Sequence, residues 1–314
     1  METFIYLGKL ALALLCGVGT SRLLGKKRFV RTASVGQTSL VWLLLFFMGV
    51  NTGSIEGITA QFATIGLSAL LLTTVSVLGT MVVATTASLL LSSEDISLGI
   101  DIAPRKEQSK LRRVWDVLKE PLFLISIVLL GLGLRLLTPL FGWFDSSLVS
   151  YLLYGMLFFV GMALVQKDIS FKGILSDKAV LLLPLLTIAG SYLGALLTPV
   201  LTPYTIKEGL GMVSGFGWYS LSGILISDLG YPVLGSVSFL INLLRESFSF
   251  FLIPLLGRMG RRYFYPAVCT AGATSMDVTL VLLTSNFGSK VIIASIYHGV
   301  VMSLVAPLLM PLFF

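Results

Sequence analysis

The sequence predicts an all-α polytopic membrane protein with about eight transmembrane helices, two broken or re-entrant segments and an inverted repeat. Three observations carry that prediction. The chain of 314 residues is 56% hydrophobic and 12% charged, where a soluble domain carries about 25% charged residues. Apolar runs recur from end to end, and about 20 apolar residues suffice to cross a bilayer as a helix. Two of the runs are interrupted by glycines and hydroxyls. Irregular backbone at membrane depth is tolerated where protein or a water-filled cavity covers it.

Taken in order, full spans are expected at about 4–24, 38–56, 62–91, 120–138, 148–165, 179–198, 232–256 and 290–314. The first lacks the positive leading region of a signal peptide, and its basic cluster follows the apolar run, so a retained helix is expected. The third is long enough to predict a tilt or a break. The one long connection, 92–119, is charged and carries Pro104; an amphipathic surface helix is expected over Glu107 to Lys119. The chain thus divides into a three-helix unit at 1–91, a cytoplasmic loop at 92–119 and a C-terminal unit at 120–314. That last unit holds the broken segments 209–230 and 264–287 and is expected to carry the working site.

The net charge of +7 lies in short loops between apolar runs, so it reads as topology signal and lipid headgroup contact, with no nucleic-acid partner. If segment 209–230 dips in and returns, 18 of the 22 basic residues fall on one side. The positive-inside rule makes that side cytoplasmic and places both termini outside. Ten crossings, with both segments traversing, is the alternative. An internal echo supports a repeat: Leu45-Phe46-Phe47-Met48-Gly49 returns as Leu157-Phe158-Phe159-Val160-Gly161 three spans later, so the copies point in opposite directions. Cys16 and Cys269 lie in apolar stretches and form neither a disulfide framework nor a metal motif.

Polar groups at mid-span are the candidates for chemistry. A charge at the bilayer centre costs about 2.5–3.5 kcal/mol or more, and is kept where it pairs, lines a wet cavity or carries an ion. Glu246 and Asn242 are four residues apart and share a helix face, while Arg245 points about 100° away. A carboxylate taking a cationic substrate or a proton is one reading; an internal Arg–Glu tie is the other. Asp277 closes Gly272-Ala273-Thr274-Ser275-Met276-Asp277, where small residues allow close backbone approach and Thr274, Ser275 and Asp277 suit a half-helix cap or a cation ligand. The first broken segment offers Ser214, Gly215, Gly217, Trp218, Tyr219 and Ser220, whose aromatic rings suit either an ammonium group or an interface anchor. Glu56 is a candidate external gate, and His298 either a proton relay or a structural histidine. Gly190 and Gly194 predict close helix packing. No nucleophile elbow, zinc-protease motif or phosphate loop is present, so neither an enzyme nor a cofactor is expected.

The stretches Ser214-Gly-Phe-Gly-Trp-Tyr-Ser-Leu-Ser-Gly-Ile-Leu225, Pro232-Val-Leu-Gly-Ser236, Leu244-Arg-Glu246 and Gly272-Ala-Thr-Ser-Met-Asp277 closely resemble the LysO family of bacterial lysine exporters. Leu45-Phe-Phe-Met-Gly49, with Glu56 after it, resembles that family as well. The likeness runs from about residue 38 to the end. It implies export of L-lysine and its analogue thialysine across the bacterial inner membrane, eight spans with both termini outside, and an important intramembrane acid at Glu246. Proton antiport with protons and L-lysine as partners is the resulting expectation, with Glu246 and Asp277 coupling to protons and with self-association left open. A monovalent cation/proton antiporter and a non-transporting scaffold or sensor are the alternatives.

Overall fold

The computed structural model describes residues 2–24, 30–55, 57–91, 110–145, 147–166, 178–288 and 291–314. Each of the eight expected spans is a helix: α1 (Glu2–Leu24), α2 (Val30–Gly53), α3 (Ile58–Leu91), α4 (Lys110–Leu137), α5 (Ser147–Gln166), α6 (Lys178–Ala195), α10 (Pro232–Met259) and α13 (Val291–Leu309). Among the described residues, five stretches are long and apolar enough to cross a membrane, at 35–53, 58–90, 179–201, 232–259 and 291–313; 122–137 and 147–163 are shorter apolar ones. Short helices fill the rest: α7 (Thr198–Leu201), α8 (Ile206–Val213), α9 (Tyr219–Asp228), α11 (Phe264–Ala271) and α12 (Leu280–Phe287).

Two expectations change. The stretch from Lys110 to Lys119 is the first part of α4, one helix of 28 residues, and so is no separate surface helix. The helix is continuous across Pro121, which stands where the charged turns give way to the apolar run. The third span, where a tilt or a break was expected, is 34 residues without a break, which leaves the tilt. Glu56 and residues 92–109 lie outside the described residues.

Both broken segments turn back. Helix α8 starts behind a capping box, in which Thr205 accepts from the Glu208 backbone and the Glu208 carboxylate accepts from Thr205. It packs at Gly211 against Phe313 and Phe314, at the end of the chain. After the break at 214–218, α9 returns to the same end, where Asp228 accepts from Tyr6 near the start of α1. Helices α11 and α12 do the reverse. Arg262 lies beside Ser88 at the last turn of α3, and Asn286 of α12 lies beside Gly257 near the end of α10. Hairpin one (α8–α9) therefore enters from the face holding both chain ends, here the far face. Hairpin two (α11–α12) enters from the face holding the basic loops, here the basic face. Their tips meet midway, where the Ala273 amide donates to the Phe216 carbonyl at 2.9 Å.

Glycines set how the long helices pair. A Cβ on Gly49 of α2 would sit 2.1 Å from the Val128 carbonyl oxygen of α4, and one on Gly131 of α4 would sit 2.1 Å from that of Phe46. The pair α1–α5 repeats this, with Gly17 against the Phe158 carbonyl and Gly161 against that of Leu14. The two copies of the Leu-Phe-Phe-x-Gly echo thus occupy equivalent packing positions. Helices α3 and α6 join at Gly79, Gly190 and Gly194, again backbone against backbone, the mode small residues permit in membranes. The result is two bundles. One holds α1, α2, α4 and α5; the other holds α3, α6, α10, α13 and both hairpins.

Candidate functional site

Helix α10 places the site because it is packed against all four half-helices. Its polar residues divide by direction. Asn242 is fully buried and serves the break in hairpin one. Its Nδ2 donates to the Met212 carbonyl at 3.1 Å, the Ser222 hydroxyl at 3.0 Å and the Ser238 carbonyl at 2.8 Å, while its Oδ1 accepts from the Gly217 amide at 2.8 Å. Gly215 is needed here, since a Cβ would lie 2.6 Å from the Asn242 amide nitrogen. Ser238 also donates to the Met212 carbonyl at 2.8 Å. These donors satisfy the orphan carbonyl end of α8.

Arg245, 1% exposed, does the same for hairpin two. Its Nη2 donates to the Cys269 carbonyl at 3.0 Å and its Nε to that of Thr270 at 3.2 Å. Those carbonyls form the C-terminal end of α11, the negative end of a helix dipole. The guanidinium reaches further, to the Ser191 hydroxyl of α6 at 2.9 Å and the Thr80 hydroxyl of α3 at 3.4 Å, which bond each other at 3.1 Å. One cation thus fastens hairpin two to both members of the α3–α6 pair. His298 is a second fastener, with Nδ1 against the Ser275 hydroxyl at 3.0 Å and Nε2 against that of Thr187 at 2.8 Å.

Glu246, 2% exposed, faces a cavity of about 560 Å³ between the two bundles. Small-molecule pockets span roughly 300–1,000 Å³. Of the residues singled out from sequence, Glu246, Asp277, Gly217, Trp218, Tyr219, Ser220 and Thr274 line it together. Asn242, Arg245, Ser214, Gly215, Gly272 and Ser275 are not in its wall; they hold the tips behind it. Ser214 bonds the Leu210 carbonyl at 2.6 Å and the Tyr192 hydroxyl at 2.8 Å, and Ser275 donates to the Ser295 carbonyl at 2.9 Å. Gly272 has φ of 61°, and a Cβ there would meet the Phe216 carbonyl oxygen at 1.9 Å. Asp277 is exposed to the cavity and accepts from the Val278 amide at 2.7 Å.

The opposite wall was not anticipated from sequence. It comes from Gln37, Thr38 and Trp42 of α2, Leu124 of α4 and Val160 and Ala163 of α5. Leu124 is at the middle of α4, and the others lie in the halves of their helices nearest the basic loops, so the cavity lies toward the basic face. The signal available was weak: Gln37 and Thr38 are polar residues one turn before Val41 and Trp42 on the same helix. Chemically the cavity offers two carboxyl groups, aromatic faces, the first turn of α9 and the residues Asp277 and Val278 just ahead of α12. Such helix amino ends attract anions.

An all-helical membrane protein with two opposed re-entrant hairpins, joined beside an acidic cavity, has the construction of a secondary transporter. The profile of the Lysine exporter LysO family matches residues 125–314. The chain is 31% identical over 274 residues to "Lysine exporter LysO" of Escherichia coli (strain K12), covering 87% of this chain and 88% of that protein. It is 34% identical over 190 residues to a Haemophilus influenzae protein named "Putative lysine exporter", covering 60% of this chain and 96% of that one. No solved structure matches. The chain belongs to the Lysine exporter LysO family. It is therefore a multi-pass membrane protein for amino-acid transport, not an enzyme.

Proposed function

We propose that this protein exports L-lysine, and with it thialysine, from the bacterial cytoplasm in exchange for protons. The observation that carries the reading is the gathering of Glu246 and Asp277 in one cavity with the tips of both hairpins. Lysine at neutral pH bears two ammonium groups and one carboxylate. Glu246 and Asp277 receive the ammonium groups, Trp218 and Tyr219 stack on the alkyl-ammonium chain, and the amino ends of α9 and α12 receive the carboxylate. Thialysine has the same charges and nearly the same length, so the same contacts serve it.

Coupling follows from competition. A proton and a lysine ammonium cannot both neutralise one carboxylate, so protonation of Glu246 from outside expels lysine and resets the carrier. By the positive-inside rule the basic face is cytoplasmic and both termini are outside. The cavity near that face then belongs to the state that loads lysine before export. Liposomes preloaded with labelled lysine test this. Export should accelerate when the outside is made acidic, and Glu246→Gln should abolish the dependence on the pH gradient. A Glu246→Gln protein that exports at the wild-type rate with the wild-type pH dependence would refute the role given to that acid.

A further inference from the structure

We propose that Asp228 is a latch: with Tyr6 of α1 and Ser150 of α5 it holds the two bundles together at the far face while the cavity lies toward the basic face. Each transport cycle must break and remake it. Asp228 is the last residue of α9, where the helix dipole presents its negative end, so the helix itself gives a carboxylate no reason to be there. Its partners supply the reason. The Tyr6 hydroxyl donates to one carboxylate oxygen at 2.6 Å, and the Ser150 hydroxyl donates to the other. Both donors belong to the other bundle, and all three side chains are half-buried. Nearby, Thr52 at the far end of α2 bonds Ser236 in the first turns of α10 at 2.8 Å.

The two ends of this interface are therefore built differently. At the far end, side chains of α1, α2 and α5 bond those of α9 and α10. At the basic end, α2, α4 and α5 stand away from the hairpin tips, with the cavity between. Within each bundle the helices lock backbone to backbone at glycines. Between bundles, the far-end bonds are made by side chains that can part without unfolding a helix. Transitions of transporters and other switches commonly repack such an interface between rigid units. Bonds to a charged acceptor are stronger than neutral ones. Made in one state and absent in the other, they bias the equilibrium toward the state in which they form.

The inference rests on the alternating-access reading above, but its main test does not require lysine to move. Full-length protein in liposomes carries Cys16→Ser, Cys269→Ala and one reporter, Val278→Cys, which lines the cavity. A membrane-impermeant thiol reagent is added from either face. Tyr6→Phe and Asp228→Asn should each slow modification from the basic face by about fivefold, the effect of losing a charge-assisted hydrogen bond from one state only, and should speed it from the far face. Tyr6→Phe removes a single hydroxyl and keeps the test valid if Asp228→Asn lowers the yield of folded protein. In a second arm, Ser150→Cys and Asp228→Cys are bridged with a short bifunctional methanethiosulfonate. Lysine exchange should stop and should return on reduction. Unchanged reporter rates in Tyr6→Phe, or undiminished exchange by bridged protein, would overturn the latch. A parent protein that moves no lysine would sink the substrate assignment instead, and the reporter would still decide the latch.

Discussion

Hairpin one reaches mid-depth from the far face and hairpin two from the basic face, and both are anchored through α10, yet the anchors are of different kinds. The carbonyl end of α8 is met by a neutral amide and a hydroxyl, Asn242 and Ser238. The corresponding end of α11 is met by a guanidinium that also grips α3 and α6. The tips differ in the same sense. Hairpin one brings Gly217, Ser220 and the rings of Trp218 and Tyr219 to the cavity; hairpin two brings Thr274 and Asp277. The two hairpins are opposed in placement and different in chemistry. Charge is concentrated at hairpin two, where Arg245 offsets the negative helix end behind an acidic wall. Hairpin one supplies apolar and aromatic surface.

That contrast can be broken most severely at Gly272. The Gly272→Ala side chain has no room beside the Phe216 carbonyl, and its φ of 61° disfavours any Cβ. Export should fall to background and the yield of folded protein should drop, measured by fluorescence-detected size exclusion. Arg245→Met comes next. It strips partners from two buried carbonyls, a loss of about 3 kcal/mol or more, read as a lowered melting temperature; Arg245→Lys should recover only part, lacking the planar fork. Asn242→Leu, the matching change at hairpin one, should cost about 2 kcal/mol because neutral groups are orphaned. A smaller effect in Arg245→Met than in Asn242→Leu would reverse the stated division of charge. Gly217→Ala follows: its φ of 94° is strained for alanine, but the nearest atom is 3.3 Å away, so a loss of about 1–2 kcal/mol is expected. The smallest change is Thr38→Val on the facing wall, expected to raise the KM for lysine about threefold through one lost polar contact, with melting unchanged.

What could be read before the fold was known follows from how much each residue costs in lipid. Glu246 and Asp277 stand out in apolar sequence because few charges survive there, and both line the cavity. Glycine and hydroxyl interruptions betrayed both hairpins, and the loop charges favoured returns over crossings. Three things were hidden. Arg245 looked like an ion-pair partner for Glu246, because sequence neighbours say nothing about carbonyls of Cys269 and Thr270 some 25 positions away. Gln37, Thr38 and Ala163 look like ordinary span residues, and only the approach of the two bundles makes them a wall. Asp228 was not singled out at all, since its donors lie 222 and 78 positions distant.

Helix α3 has 34 residues, about 51 Å at 1.5 Å each, while the hydrocarbon layer it must cross is about 30 Å thick. It therefore leans or protrudes, and the lipid around it must accommodate the mismatch. Because α3 is bonded to α10 through Thr73 and to α6 through Thr80, that mismatch bears on the bundle carrying the hairpins. The longest helix of the molecule is thus tied by side-chain bonds to α10 and α6, so a mismatch in length is borne by the helices that carry both hairpins.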